Sequence, residues 1–489
     1  MSIDVLLIHI PLLQNFIFPI KDISPFVIRN LLSELKSEYS GVELGESNLP
    51  ITDYGILSIA SYLKNEGMSV QYFYPIIDDS NPVRGFSEYL NELRNAIKKY
   101  DPLVIGAGSY TYQYPLVLAI FRFVKILNPN IVTIIGGHHS SFMDVQTLRD
   151  SKSVDIVVRG EGEETLFRVV KSLHTNGHLQ DVLGITYREK NDQIKRNDVP
   201  PKLDPDRIPV PTYDLIPDWL WKSRVVSNIS TGRGCPHSCL FCTERKIWGK
   251  PRIRPVERII EEIKLIYHDY NNLNINFNDD SFAWNSKFFY EILEAVKEEG
   301  MFFRKAHFLM RVDEINQNNL KELKKIAEKI EISLGLESAS PKVLKVMRKN
   351  ITFNQSICAL KKIAKTDDII PKAFWIIGHP GSDPEAEETS FRGQEFLMKN
   401  RLCMLHEVST FIPYPGLEPF AEPNKYGVKI LTYNWSKYCE NPPTFPPVSC
   451  LGNLDPLDIY HYYNKRQTLS VKGLSEHLGY EWKDVSLKI

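Results

Sequence analysis

The chain has 489 residues, 43% hydrophobic and 24% charged, and sets 59 Lys and Arg against 60 Asp and Glu for a net charge of −1. At roughly 150 residues per domain the length points to about three domains, and the composition excludes long disorder, a coiled coil or a low-complexity scaffold. The charge balance excludes the bulk electrostatic signature of a nucleic-acid or acidic-membrane binder. The absence of any run of about 18 apolar residues excludes a predicted membrane span. The N-terminus lacks the basic start and small-residue cleavage site of a signal peptide, so the expected compartment is the reducing cytoplasm.

The first 200 residues alternate strand and helix signals. Val5-Leu6-Leu7-Ile8, closed by Pro11, reads as a buried strand. Tyr54 to Asn65 has helical spacing and stops at Gly67. Val70 to Tyr74 is the next strand, Phe86 to Ile97 an amphipathic helix, and Leu103 to Gly106 a third strand that ends in the turn Gly108-Ser109. A helix from Tyr114 to Leu127 leads to Val132-Thr133-Ile134-Ile135 and then Gly136-Gly137. Ile156-Val157-Val158 ends at Arg159-Gly160-Glu161-Gly162. Apolar strands alternating with helices imply an open, doubly wound, Rossmann-like parallel sheet. Its ligand crevice lies beyond the carboxyl ends of the strands. The turns at Gly106-Ala107-Gly108 and Gly136-Gly137 fall there, where glycine admits close approach of a ligand or simply makes a tight turn.

Residues 1–190 are thus expected to form one domain. The Pro-rich stretch Asn191 to Pro217 opens a linker over 191–223. A second domain, 224–415, starts with a strand from Val225 to Thr231 and a helix from Glu257 to Tyr270 with Ile259, Ile260, Ile263 and Ile266 on one stripe. Strand–helix pairs follow at Asn274–Phe277 and Ser286–Glu299, Ala306–Met310 and Asn318–Lys329, Glu331–Leu336 and Lys342–Ala364, and Lys372–Ile377 and Glu385–Lys399. A last strand lies near Val408 to Ile412. About six βα units suit a partial (β/α)6 TIM-like barrel, whose working loops sit at the C-terminal ends of its strands. The aromatic, Pro-rich residues 416–489 are expected to form a short C-terminal cap that acts as a substrate lid.

Cys358, Cys403, Cys439 and Cys450 are scattered and read as small buried hydrophobes. Cys235, Cys239 and Cys242 instead fall in one loop directly after the first barrel strand. Zinc normally takes a fourth Cys or His, and no second Cys-x-x-Cys pair follows. A [4Fe–4S] cluster takes one thiolate per iron, so three cysteines leave one iron open to a small ligand. A structural zinc or a redox relay is the competing reading of the same residues.

Cys-x3-Cys-x2-Cys with Phe241 before the last cysteine, on the first loop of a βα-repeat domain, resembles the radical S-adenosylmethionine (SAM) enzymes. Asp101-Pro102, Gly136-Gly137-His138-His139 and the stretch from Val154-Asp155 to Gly160-Glu161-Gly162-Glu163 resemble a cobalamin-binding domain. Together they are similar to the cobalamin-dependent radical SAM family over roughly residues 1–415. The resemblance implies Cys235, Cys239 and Cys242 as cluster ligands, SAM on the open iron and Phe241 beside the adenine. It implies Asp279 or Asp280, in Asn278-Asp279-Asp280-Ser281, as receptor of the SAM amino group, with helix capping as the plainer role. Glu337 and Ser338 resemble the ribose and carboxylate contact. Gly378, in Gly378-His379-Pro380-Gly381, resembles a turn that passes the adenine or only closes the barrel. Arg311 pairs with the SAM carboxylate, with substrate, or with a protein acid. Gly108, Ser109, Gly136 and Gly137 would contact cobalamin. The chain has no Asp-x-His-x-x-Gly motif, so cobalamin is expected to bind without a protein imidazole on cobalt.

The activity so implied is SAM cleavage to methionine and a 5′-deoxyadenosyl radical, hydrogen abstraction from an unactivated carbon, and methyl delivery from methylcobalamin to a small molecule. A non-methylating outcome (cyclisation, dehydration, rearrangement or oxidation) is the alternative, and a non-catalytic metal protein the remote one. The implied partner is an electron donor such as flavodoxin or ferredoxin.

Overall fold

The computed structural model describes residues 2–10, 53–75, 82–175, 177–189, 191–218, 227–439 and 443–477. Pro11, Trp219, Trp221 and the first two residues of the strand expected at Val225 lie outside them.

The N-terminal elements are β1 (Ile3–Ile8), α1 (Tyr54–Asn65), β2 (Val70–Phe73), α2 (Pro82–Tyr100), β3 (Pro102–Gly108), α3 (Tyr114–Leu127), β4 (Val132–Gly136), α4 (His138–Phe142), α5 (Asp144–Asp150), β5 (Ile156–Val158), α6 (Glu163–His174), β6 (Ile185–Arg188) and β7 (Ile194–Arg196). Among the described residues they form a seven-stranded sheet in the order β2-β1-β3-β4-β5-β6-β7. Strand alternation places Leu6 and Ile8 in one apolar cluster with Tyr89, Ile120 and Phe121 from α2 and α3. Val5 and Leu7 fall in the other, with Ile56, Ala60 and Val169 from α1 and α6. Helices on both faces follow directly from strands that are apolar on both faces.

The first five strands are parallel, as expected, but β6 and β7 are antiparallel additions at the β5 edge. A hairpin needs only a short turn, so its strands carry no βα rhythm to announce them. Ile194–Arg196 therefore belongs to this sheet although its sequence sits in the Pro-rich, charged stretch read as linker.

The second unit holds β8 (Ser227–Ile229), β9 (Gly232–Arg233), α7 (Glu244–Trp248), β10 (Arg252–Ile253), α8 (Val256–Lys264), β11 (Asn274–Phe277), α9 (Ser286–Glu298), β12 (Phe303–Met310), α10 (Gln317–Leu323), β13 (Ala327–Glu337), α11 (Pro341–Val346), α12 (Phe353–Ile363), β14 (Ile369–Ile377), α13 (Pro384–Lys399) and β15 (Leu405–Thr410). Its six-stranded parallel sheet runs β8-β11-β12-β13-β14-β15 and is the partial barrel. Ala306, Phe308, Ile330, Ile332 and Leu334 are buried in the large core with the helices. The alternate positions are polar: Asn276 donates to Asn228 at 2.7 Å, and the His307 ring contacts Asn276 on one side and Ser333, at 2.9 Å, on the other. The single helix expected from Lys342 to Ala364 is two, α11 and α12. They are broken where Arg348 and Asn350 take positive φ, and α12 restarts on a capping box between Thr352 and Gln355.

The tail adds α14 (Glu418–Ala421), a ribbon of β16 (Val428–Ile430) and β17 (Ser449–Leu451), and α15 (Pro456–His477). Helix α15 packs along β15, β14 and α13. Its fully buried Arg466 lies 4.8 Å over the Trp375 ring and 3.5 Å from Glu387. Glu387 in turn accepts the Gly378 N–H at 2.9 Å and the Ser382 hydroxyl at 2.6 Å. Breaking one side of a buried ion pair leaves the other charge stranded, so Arg466→Met is expected to cost about 3–5 kcal/mol, read as a lowered denaturation midpoint.

Candidate active site between the two domains

The cysteine loop leaves β8 and is anchored at once. Both oxygens of Asp279, from the loop after β11, accept the Thr231 N–H at 3.0 and 3.2 Å. Its Oδ1 also accepts the Thr231 hydroxyl at 3.0 Å and the Gly232 N–H at 2.9 Å. Further along, Leu240 N–H donates to Met347 O at 2.9 Å, and Arg245 donates to the carbonyls of Cys235 and Pro236 at 3.3 and 3.0 Å. Cys235, Cys239 and Cys242 are free and half-buried. Burial pushes the Cys235 thiol up to about 11 and raises Cys239, where Lys349 and Arg311 pull the other way. Among the described residues no three His, Cys, Asp or Glu side chains are close enough to share a single metal ion. A four-iron cube asks for something different, one thiolate on each of three irons, and three accessible thiols on one pinned loop fit that demand.

Around the loop stand the ends of the other strands. Asp279 is turned into the loop, so Asp280 is the exposed acid of the pair. Crowding by the cleft walls, and then the Glu244 and Asp279 carboxylates, raise the Asp280 pKa to about 7. Buried Arg311 donates to Lys349 O at 2.7 Å and to Asp313 at 3.0 Å. Lys349 donates to Glu337 at 2.8 Å and lies 5.6 Å over the Phe241 ring. Phe241, Glu337 and Arg311 are thus brought together, with Lys349 as their centre. Ser338 is buried against Ser390, hydroxyl to hydroxyl at 2.8 Å, and Ser340 N–H. Gly378 has φ +71°, and a side chain there would meet Ile459 of α15 at 3.1 Å, so this turn faces the barrel wall. The next residue, buried His379, is edge-on to Phe241 at 6.0 Å between centroids.

Across the cleft lie the carboxyl ends of β1, β3 and β4. Gly137 has φ +92° and packs so tightly on Ser109 that a Cβ would sit 2.7 Å from its backbone. Ser109 N–H donates to Gly136 O at 3.1 Å, and its hydroxyl meets Ser140 at 3.2 Å. Gly108 has open space beside it. The order β2-β1-β3-β4-β5 puts the sheet's switch point between β1 and β3, beside these residues. Five contacts carry the N-terminal domain onto the cysteine loop and the strand after it. His138 Nε2 meets Glu244 at 2.9 Å, two residues past Cys242. Arg233, two residues before Cys235, pairs with Glu161 at 2.8 Å and with Glu163. Arg252 shares Glu161 at 2.8 Å. Tyr54 of α1 accepts from Arg254 at 2.8 Å, beside the buried Arg254–Glu262 pair at 2.7 Å. The tail straps the same joint: Lys246 donates to Gly416 O at 2.6 Å, and Trp435 is edge-on to His139 at 4.9 Å.

Glu244, Arg233 and Lys349 escaped the sequence reading. Glu244 and Arg233 flank the cysteines in sequence, but their partners are about 70 to 106 residues away. Lys349 lies in the helix break that the Thr352-x-x-Gln355 box signals. Asp279→Ala would strip three donors of their acceptor, at about 1–3 kcal/mol for each buried group left unsatisfied. The expected result is a folded protein whose iron and sulfide content after reconstitution falls well below the parent's, measured per chain.

The sequence matches the family model described as B12 binding domain over residues 42–170 and that of the Radical SAM superfamily over residues 229–391. It is 31% identical to the uncharacterized methyltransferase PH0819 of Pyrococcus horikoshii, across 84% of this chain and 91% of that protein. It is 25% identical to the anaerobic magnesium-protoporphyrin IX monomethyl ester cyclase of Rubrivivax gelatinosus, across 78% of this chain and 67% of that one. The fold is that of the radical SAM methyltransferase TsrM from Kitasatospora setae, with a TM-score of 0.68 at 15% identity over 96% of this chain and 91% of that one. A B12-binding fold joined through buried ion pairs to a radical SAM cysteine loop places the chain in the cobalamin-dependent radical SAM family.

Proposed function

We propose that the chain is a cobalamin-dependent radical SAM methyltransferase acting on an unactivated carbon of a small molecule. The observation that carries the proposal is the meeting of the half-buried cysteine loop with the switch-point end of the N-terminal sheet, joined by His138–Glu244. When bound, the cluster and SAM supply the 5′-deoxyadenosyl radical and cobalamin supplies the methyl group.

The chain's own residues bind and orient. Cys235, Cys239 and Cys242 hold three irons. Asp280, the open acid of its pair, receives the SAM ammonium as a charge-assisted acceptor. Lys349 and Arg311, whose charges act on Cys239, offer donors to the SAM carboxylate, and Phe241 lies beside the adenine. The N-terminal domain roofs the barrel mouth and limits water at the reacting carbon. An electron donor such as flavodoxin or ferredoxin and a cytoplasmic location complete the reading. Among the described residues no helix is long and apolar enough to cross a membrane.

The relative from Rubrivivax gelatinosus is named a cyclase, which favours a second reading, a radical outcome without methylation. Anaerobic reconstitution with iron, sulfide, SAM, cobalamin and a reductant tests both. Formation of 5′-deoxyadenosine is expected, and is lost in Cys239→Ala along with the cluster. A product heavier by one methyl, with two SAM consumed, supports methyl transfer; one SAM consumed without added mass supports the second reading. Removing one charged hydrogen-bond partner in Asp280→Asn is expected to weaken SAM binding about tenfold or more without loss of iron. Unchanged binding there reassigns the ammonium contact.

A further inference from the structure

The break between α11 and α12 is built from backbone conformations that side chains rarely adopt. Arg348 and Asn350 stand at φ +57° and +54° with Lys349 between them, and Glu337, the partner of Lys349, stands at φ +63°. Non-glycine residues in the left-handed region persist where their surroundings hold them, and they gather at ligand clamps and active sites. The inner hold is on Lys349. Its ammonium donates to Glu337 at 2.8 Å and its carbonyl accepts from Arg311 at 2.7 Å. Gly335 makes the room for this pair, since a Cβ there would sit 2.5 Å from Lys349 Nζ.

The outer hold is a fork on Arg348. Its guanidinium donates to both oxygens of Glu418, at 2.6 and 2.7 Å, and the Tyr426 hydroxyl donates to the same carboxylate. The Arg348 and Glu418 side chains are 42% and 34% exposed, so the pair adds little to global stability. Its geometry is specific all the same, because a planar guanidinium on a carboxylate fixes orientation as well as distance. Glu418 is itself set in place. It opens α14, two residues after Gly416, whose carbonyl accepts from Lys246 at 2.6 Å and where a Cβ would lie 2.7 Å from the Phe142 ring. Arg348 and Lys349 are neighbours in the chain, and their side chains part, one to the tail and the other to Glu337 beside Phe241. A grip on the first fixes the direction of the second.

We propose that Arg348, Glu418 and Tyr426 are positioning residues for SAM: the tail grips the outer residue of the helix break and so presents the Lys349 ammonium to the SAM carboxylate. This rests on the SAM reading above. The three act through Lys349 and not on the cosubstrate itself.

The test uses the full chain with its cluster reconstituted, and reads equilibrium binding of SAM against two probes that lack the carboxylate. Decarboxylated SAM keeps the amine, and 5′-methylthioadenosine lacks the whole amino-acid arm. Glu418→Gln is expected to weaken SAM binding about three- to fivefold, the upper range for a pair this exposed, at the parent's iron content and denaturation midpoint. Binding of the two probes is expected to stay at the parent value, since neither has a carboxylate for Lys349 to meet. Arg348→Lys keeps the charge and loses the fork, and is expected to show the same selective loss. Unchanged SAM affinity in either variant overturns the proposal. So does an equal loss for SAM and the probes, or a loss that follows a fall in iron content or midpoint, since each marks general distortion. A parent that binds no SAM overturns the SAM reading itself, a failure distinct from these.

Discussion

The molecule depends on the buried charge cluster of Arg233, Arg252, Glu161 and Glu163. Left alone in the interior, Glu163 would be pushed toward the neutral form by burial. Arg233 and the Ser58 hydroxyl outweigh that and hold its carboxyl below the usual range. Buried ion pairs add little net stability over apolar packing, because desolvation offsets most of the attraction. What they add here is register. A shift of either domain by a few ångströms would leave a desolvated charge without its partner, so the relative placement of the domains is specified sharply. Arg233 stands two residues before Cys235, and Glu161 and Glu163 stand at the carboxyl end of β5. The cluster therefore sets the cysteine loop against the crevice of the N-terminal sheet. Asp279 fixes the same loop to the barrel from the other side.

What the sequence revealed follows the range of the interactions involved. The cysteine loop was legible because its three sulfurs, its turn and its strand are contiguous. The parallel strands were legible because each is apolar on both faces. The hairpin of β6 and β7 was not, because β7 is polar and sits on an edge where only one neighbour pairs with it. The pair Asp279 and Asp280 was found, but their division of labour was not. It is decided by where the Thr231 and Gly232 N–H groups point, a contact across 47 or 48 residues. Lys349 is hidden in the sequence because α11 and α12 together carry one continuous helical pattern across the break. Aromatic composition in the tail says that the segment packs and not what it packs on.

The tail's position changes how the site is controlled. Arg466 on α15 reaches Glu387, and Glu387 holds the Gly378 N–H and the Ser382 hydroxyl, so the turn after β14 is set from the outer side of the barrel. Trp435 and Gly416 reach the N-terminal domain at His139 and the cysteine-loop helix at Lys246. One segment thus touches the barrel wall, the helix after Cys242 and the end of β4. Movement of α15 would have to break the buried Arg466 contacts.

The barrel itself departs from a closed TIM barrel in a way that bears on substrate. A closed eight-stranded barrel fills its interior with layers of branched apolar side chains. Here, among the described residues, six strands leave β8 and β15 unpaired with each other, and the positions opposite the helix-packed core are Asn228, Asn276, His307 and Ser333, with Lys305–Glu331 at 3.0 Å below them. Burial holds His307 neutral, at about 4, so this row is a hydrogen-bonding surface without added charge. Polar side chains that keep one another satisfied tolerate water, whereas an apolar lining would favour collapse of an incomplete barrel. The aromatic cluster at the mouth is Phe241, His379 and Phe411, packed edge to face.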